Sequence, residues 1–309
     1  MIIKNNLPVY DICWLNHSVG GGIIGTFYEP ESKEELSELC RNLYKENKQF
    51  DLVGHTSNIY FLPNYSVDIM ISTRKVRNIE VREDCIVADC GVSVSKLSRH
   101  MINEGVKGFE GLIDLPGTVA ASVYGNASCY GCSINQLLES FEILRPDGEI
   151  LSLSPEKLKM KKRSTSLKRG ELEGVILSVR LRKIIGEKAA IMELAEKFHQ
   201  VRKKNQPGPK DNIGSIYSNT QKWTVRGMIF YIVAKAISIL LRPIKHIDTI
   251  QIILYMMGCE ILIPYVWGWN RFIWKDAESH ELFWKFHHIH TKLFVNSDFE
   301  IIIKGNHVY

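Results

Sequence analysis

The run Leu115–Gly131, LPGTVAASVYGNASCYG, constrains this chain more than any other stretch. Its Pro116-Gly117-Thr118 turn feeds a series of small residues, with Asn126 and Gly131 following. Small side chains and glycines let backbone N–H groups approach a ligand closely. Such a loop suits a pyrophosphate or the edge of a fused ring.

A chain of 309 residues can bury about three quarters of its unfolded surface, room for two or more cores. With 45% apolar and 24% charged residues it reads as an ordinary globular protein. The net charge of +5 fits an anionic small substrate. No basic stripe with interleaved aromatics marks a nucleic-acid track, so no nucleic-acid partner is expected. The start MIIKNNLPVYD lacks the apolar core of a signal peptide. Seven cysteines, an odd number without a disulfide framework, agree with a reducing compartment. Both features predict a cytoplasmic protein.

Ser32 with Glu35 predicts a capping box opening a helix to about Lys48. Short strands are expected at Phe50–Val53, Val67–Ser72, Val76–Arg82 and Cys85–Asp89, then a helix near Val94–Asn103 capped by Gly105. Ser140–Leu153 reads as a hairpin turning at Asp147-Gly148, and Val175–Arg182 as a further strand. A helix from about Glu187 to Lys204 leads into the loop NQPGPKDN, a domain boundary. The pattern predicts an α+β domain to about residue 186, followed by a second domain.

Beyond these elements, the chain resembles the UDP-N-acetylenolpyruvoylglucosamine reductase (UDP-N-acetylmuramate dehydrogenase) family. The likeness runs from Asn16-His17-Ser18-Val19-Gly20-Gly21 to Glu300–Gly305, with a weak central patch. Gly54-His55-Thr56-Ser57-Asn58 resembles the family's phosphate turn, with Thr56 where glycine is usual. Phe109-Glu110-Gly111 followed by Leu115–Gly131 resembles its longest FAD signature. Lys162-Arg163-Ser164-Thr165 resembles a Tyr-Arg-x-Ser motif and keeps its arginine. Gly214-Ser215-Ile216-Tyr217-Ser218-Asn219 resembles a Gly-Ser-Phe-Phe-Lys-Asn motif, and Phe299–Gly305 a C-terminal strand carrying an acidic residue.

The resemblance implies an α+β fold: a two-lobed FAD-binding domain of the vanillyl-alcohol-oxidase (PCMH) type over 1–186, with lobes of about 1–72 and 73–186. A smaller α+β substrate-binding domain would cover 187–309. The implied FAD contacts are Gly54, His55, Thr56, Ser57 and Asn58, then Pro116, Gly117, Thr118, Val119, Ala121, Asn126 and Gly131, then Val175 and Ile176. Asn219 and Lys203 are the implied substrate contacts, and Arg163, Ser215 and Glu300 the catalytic residues. The implied activity is reduction of an enolpyruvyl ether on a UDP-sugar to a lactyl ether, with FAD as cofactor and NADPH as hydride donor. The residue types suit that chemistry. A guanidinium can pair with a carboxylate in two places and gains strength as charge builds on it. A serine hydroxyl can protonate a strong carbon base. Glu300 would polarise or hold the carboxylate. An FAD-linked alcohol oxidase and a catalytically idle membrane-associated scaffold are the alternative functions.

Other patterns have blander readings. Gly20, Gly22 and Gly25 spell G-x-G-x-x-G, but Thr26-Phe27-Tyr28-Glu29-Pro30 follows where a dinucleotide site needs a helix, so a turn before a strand is expected. Cys129 and Cys132 form a CxxC without redox context and are expected in a packed or loop position. His280-Glu281 starts a zinc-protease pattern that Trp284 breaks; no metal is expected, and His287, His288 and His290 are expected at the surface or a substrate rim. The segment 228–269 is unusually apolar, and Met228–Leu241 reads as an amphipathic helix with a wide apolar face. That face is expected to be buried in the second domain or used in dimerisation, the alternative being a peripheral membrane contact.

Overall fold

The strand Val175–Arg182 is the hinge of the architecture, because its near-continuous apolar run is buried on both faces. The computed structural model describes residues 1–15, 21–218, 222–242 and 247–305. In chain order the strands are β1 (Ile2–Pro8), β2 (Ile23–Glu29), β3 (Asp51–Val53), β4 (Ile59–Phe61), β5 (Val67–Ser72), β6 (Ile79–Val81), β7 (Cys85–Asp89), β8 (Ser128–Cys129), β9 (Cys132–Ser133), β10 (Leu138–Leu144), β11 (Ile150–Leu153), β12 (Val175–Arg182) and β13 (Ile302–Lys304). The helices are α1 (Lys33–Lys45), α2 (Val94–Asn103), α3 (Val119–Tyr124), α4 (Ile134–Leu137), α5 (Lys188–Asn205), α6 (Val225–Leu241), α7 (Thr249–Met256) and α8 (Ser279–Leu293).

The chain divides into two compact units. The first comprises Met1–Asp11, Ile23–Thr56 and Ser66–Asn205, so it runs past residue 186 to include α5. It holds two sheets, ordered β1-β2-β5-β3 and β11-β10-β12-β7-β6. In the first, β5 lies parallel to β2 and β3; the second is antiparallel throughout. Leu36, Cys40 and Leu43 of α1 share one core with Ile71 of β5 and Leu177 of β12. On the other face of β12, Ile176 and Leu181 pack with Leu97 and Met101 of α2, Val119 of α3 and Ile191 of α5.

Local chemistry accounts for these elements. Ser32 caps α1, its Oγ accepting the Glu35 N–H at 3.2 Å. The Glu35 carboxylate turns instead to the Glu31 N–H at 2.9 Å, so the expected capping box is half made. Ser93 caps α2, and Gly105, at φ +72°, ends it. Strand β2 starts directly after Gly22 and contains Gly25, where a dinucleotide site needs a helix; Gly20 lies outside the described residues.

The second unit comprises Ile12–Gly22, Ser57–Tyr65 and Gln206–Tyr309. Parallel β4 and β13 are its only named strands among the described residues. Its core is aromatic: Tyr60, Tyr217, Phe272, Trp274, Phe283 and Phe286 are all fully or almost fully buried. Tyr60 meets Trp274 at 4.3 Å between centroids, and Phe272 meets Phe283 edge-on at 5.5 Å.

The helix expected over Met228–Leu241 forms as α6, with Phe230 and Ile237 partly buried against the aromatic core and a second apolar face left exposed. Only Gly227 and Ala234 of α6 are buried, while Ile229, Ile232, Ile239 and Leu240 face solvent. The reason is steric. A Cβ on Gly227 would lie 2.2 Å from the Leu293 carbonyl oxygen, so the small residues are the ones that allow the helix to dock. Thr224 pins its start, accepting the Gly227 N–H and donating to the Lys292 carbonyl, both at 3.0 Å. No described helix is long and apolar enough to cross a membrane.

Candidate active site

In the first unit, β3 delivers the chain into the turn Gly54–Thr56. A Cβ on Gly54 would stand 2.6 Å from the Thr118 Oγ1, so glycine lets this turn meet the Pro116–Thr118 turn. Thr56 takes φ +55°, a left-handed conformation that disfavours a β-branched residue. That conformation explains why glycine is the more comfortable residue there. Gly117, at φ +120°, lets the second turn fold back. Its carbonyl accepts the Val94 N–H at 3.1 Å, and the Val119 N–H donates to the Val92 carbonyl at 2.8 Å. Thr118 then caps α3, accepting the Ala121 N–H. Val175 and Ile176 start β12 with both side chains in core clusters.

The small-residue run also carries the Arg163 turn. Asn126 donates from Nδ2 to the Lys161 carbonyl at 2.8 Å and accepts from Asn135 Nδ2 at 3.0 Å. Thr165, fully buried, donates to the Tyr124 carbonyl at 2.7 Å. Lys161 and Ser164 close a tight two-residue loop around Lys162 and Arg163. Arg163 is half-buried at φ +55°, its carbonyl accepting from Lys168 Nζ at 3.2 Å. Thr165 departs from the resembled motif only by a methyl group; the hydroxyl that anchors the turn is kept.

Gly131 serves a second turn. Tyr130 and Gly131, at φ +48° and +80°, form the two-residue loop between β8 and β9, which sets Cys129 opposite Cys132. Helix α5 backs this hairpin. Phe198 stacks on Tyr130 at 4.9 Å, and the Arg202 guanidinium lies over the same ring and donates to Cys129 Sγ at 2.8 Å. His199 Nδ1 reaches Asp114 Oδ2 at 2.5 Å. Burial pushes the Asp114 carboxyl up, but His199 and Arg99 outweigh it and hold it below the ordinary carboxylate range. Lys203 is exposed on α5. Sequence reasoning passed over Arg202, although Ile191, Ala195, Phe198 and Arg202 fall at helical spacing on one face.

The second unit gathers the other segments. Within it Asn58 donates from Nδ2 to the Glu300 carbonyl at 3.3 Å, and its own carbonyl accepts the Ile302 N–H at 2.9 Å. The Glu300 N–H donates to the Ile216 carbonyl at 2.7 Å, and Tyr217 bridges Phe299. Ser215 and Glu300, 85 positions apart in the chain, therefore sit on adjoining backbone segments, with Asn58 beside them. Both are half-buried. Glu300 precedes the strand expected to carry it, since β13 begins at Ile302. Arg163 belongs to the first unit, and the chain passes between units inside the Gly54–Asn58 turn, between Thr56 and Ser57. Asn219 lies outside the described residues.

The histidines of α8 complete this neighbourhood. His290, expected at the surface or a substrate rim, is fully buried; its ring stacks on Tyr217 at 3.7 Å and its Nδ1 meets Ser297 Oγ at 2.7 Å. Burial, with help from His287, pushes its pKa down to about 3, so it is a neutral core residue. Burial likewise raises the Tyr217 hydroxyl pKa. His280 bonds the Tyr60 hydroxyl, and His287 meets the Tyr217 hydroxyl at 3.3 Å. Among the described residues no three His, Cys, Asp or Glu side chains are grouped to hold a metal ion.

Comparison with known proteins places this geometry. Residues 25–154 match the family model described as an FAD binding domain. The UDP-N-acetylenolpyruvoylglucosamine reductase of Caldicellulosiruptor saccharolyticus is 29% identical over 188 residues, 61% of each chain. That of Clostridium tetani is 28% identical over 210 residues, 68% of this chain and 67% of its own. The alignments thus span about two thirds or less of these curated relatives. The crystal structure of UDP-N-acetylenolpyruvylglucosamine reductase from Thermus caldophilus superposes with a TM-score of 0.66 at 18% identity, covering 99% of this chain and 100% of that one. That likeness of fold extends over nearly the whole chain. The chain is thus similar to the UDP-N-acetylenolpyruvoylglucosamine reductases, sharing their fold and carrying an FAD binding domain over residues 25–154.

Proposed function

We propose that this protein is an FAD-dependent, NADPH-using reductase that converts an enolpyruvyl ether on a UDP-sugar into a lactyl ether. It would serve synthesis of a peptidoglycan or other surface-polysaccharide precursor. The pairing of the Ser215 and Glu300 segments beside Asn58 carries the reading, because a resemblance confined to the FAD domain would not require it. The two turns fit a phosphate-bearing cofactor: glycine at 54 clears Thr118, and left-handed residues at 56 and 117 turn the backbone around the gap. Gly54, His55, Thr56, Ser57 and Asn58, then Pro116, Gly117, Thr118, Val119 and Ala121, with Asn126, Gly131, Val175 and Ile176, would hold FAD. Bound there, FAD supplies the hydride carrier that no side chain can provide.

The chain's own residues do the rest. Hydride addition at the terminal vinyl carbon leaves negative charge on the carbon beside the carboxylate. Arg163 pairs with that carboxylate in two places, and the pairing strengthens as charge accumulates. The Ser215 hydroxyl gives its proton to the carbon, a step contributing roughly 10²–10⁴-fold. Glu300 polarises or holds the carboxylate. Asn219 and Lys203 contact the nucleotide, and residues 187–309 select the sugar. The apolar segment 228–269 mediates a contact outside the catalytic chemistry, with a membrane surface or a second copy.

The test is a panel of enolpyruvyl nucleotides offered with NADPH to the yellow protein. Turnover that falls roughly 10²–10⁴-fold in Ser215→Ala, with FAD retained, supports the reading. Peroxide formation from an alcohol without NADPH would establish an oxidase instead. Colourless protein inert to the whole panel would establish a scaffold.

A further inference from the structure

We infer that the outer face of α6 is an interfacial anchor that lies on an anionic lipid bilayer. Val225 is 82% exposed, Leu240 75%, Ile239 61%, Ile232 59% and Ile229 58%, with Met228 also exposed. At 3.6 residues per turn these six side chains fall within an arc of about 120° with no polar residue among them. A solvent-facing helix in a water-soluble domain places polar residues there.

The rest of the helix explains why the arrangement is fixed. Gly227 and Ala234 form the inner seam, and the Leu293 carbonyl oxygen occupies the space a Gly227 side chain would need. Phe230 and Ile237 pack partly buried beside that seam, and turning the outer residues inward instead would drive them into the Leu293 backbone. The six outer side chains are therefore committed to the outside.

Charge identifies the occupant. Arg226 borders one edge of the apolar arc, and Lys235 and Arg242 border the other; all three are exposed. From Lys222 to Arg242 the sequence has no acidic residue. An apolar strip rimmed only by cations matches a bilayer interface bearing negative headgroups, where the long side chains reach the phosphates while the strip sinks among the acyl chains. A second copy fits poorly, because a two-fold contact through this face would bring cationic rims together. Spanning is excluded by length: α6 has 17 residues, about 26 Å, against a hydrocarbon core of about 30 Å.

The experiment is flotation of the purified protein with vesicles of phosphatidylcholine alone, or with about a third phosphatidylglycerol. Sedimentation velocity runs in parallel, and neither readout involves turnover. The expected result is binding to phosphatidylglycerol vesicles that weakens with salt. It should fall about fivefold for each charge removed in Arg226→Gln, Lys235→Gln and Arg242→Gln. In the double variant Ile229→Glu/Ile232→Glu binding should drop more than tenfold, while its circular dichroism matches the parent. Vesicle binding that ignores both headgroup charge and salt would overturn the assignment. So would a dimer that the same double variant dissolves while the parent ignores vesicles.

Discussion

Small residues do opposite things in the two regions of this molecule that depend on them most. In the run Leu115–Gly131 and its neighbour Gly54, missing side chains bring two turns together, and the proposed function puts a cofactor at those turns. In α6 missing side chains let a helix lie against the Leu293 backbone, while Val225, Ile229, Ile232, Ile239 and Leu240 stand on the outside. The obstacles also differ in kind. Opposite Gly54 stands a side-chain hydroxyl, which can move or be removed by mutation. Opposite Gly227 stands a main-chain carbonyl, which cannot.

That difference predicts which damage can be rescued. Gly227→Val should cost about 3 kcal/mol in urea unfolding, the upper range for forcing bulk into a packed seam. No single substitution on α8 should restore it, because the Leu293 carbonyl oxygen at 2.2 Å persists with any side chain. A suppressor at Leu293 would break the comparison.

The buried histidine of α8 gives the next largest effect. His290 has a folded pKa lowered to about 3 from an unfolded value of 6.5, so the unfolded chain binds the extra proton between those limits. Stability contributed by neutral His290 is complete above pH 6.5. It declines as the pH falls below 6.5, by up to about 1.4 kcal/mol per pH unit. Urea midpoints at pH 7.5 and 5.0 should differ accordingly, and His290→Gln should flatten that interval. A parent protein equally stable at both pH values would show that the aromatic core admits the charged ring.

Gly54→Ala should be milder, about 1–2 kcal/mol, because Thr118 can rotate or shift. Its clearer signature is loss of FAD absorbance during gel filtration. Adding Thr118→Ala removes the Oγ1 at 2.6 Å and should restore part of both properties. Rescue at residue 54 and none at residue 227 would sharpen the contrast between the two regions.

Much of the first unit was legible because its elements announce themselves locally. Val67–Ser72, Cys85–Asp89 and Val175–Arg182 carry branched residues at strand length, and Val94–Asn103 is bounded by Ser93 and Gly105. Strand β1 was not, since Asn5-Asn6 interrupts its alternation and Asn6 takes φ +51°. Helix α3 hides in residues too small to show a period. What no local pattern contains is proximity: the Ile216–Glu300 and Asn126–Lys161 bonds join positions far apart in the chain. In α6 the period was readable but its direction was not. The spacing of large aliphatic residues tells which side of a helix is apolar, whereas the position of Gly227 and Ala234 decides which side is in.

The smallest predicted effect is therefore the most discriminating. Replacing a large aliphatic residue by serine ordinarily costs several kcal/mol when that residue belongs to a core. Ile232→Ser on the exposed face of α6 should change unfolding free energy by no more than about 0.5 kcal/mol, since water already surrounds the side chain. The same substitution at Ile253, fully buried on α7, should cost several times more. Equal losses at the two positions in urea unfolding would mean that Ile232 is covered in the free protein. Small residues would then mark the inner seam of α6 without committing its outer face to solvent, and the contrast with the cofactor turns would collapse.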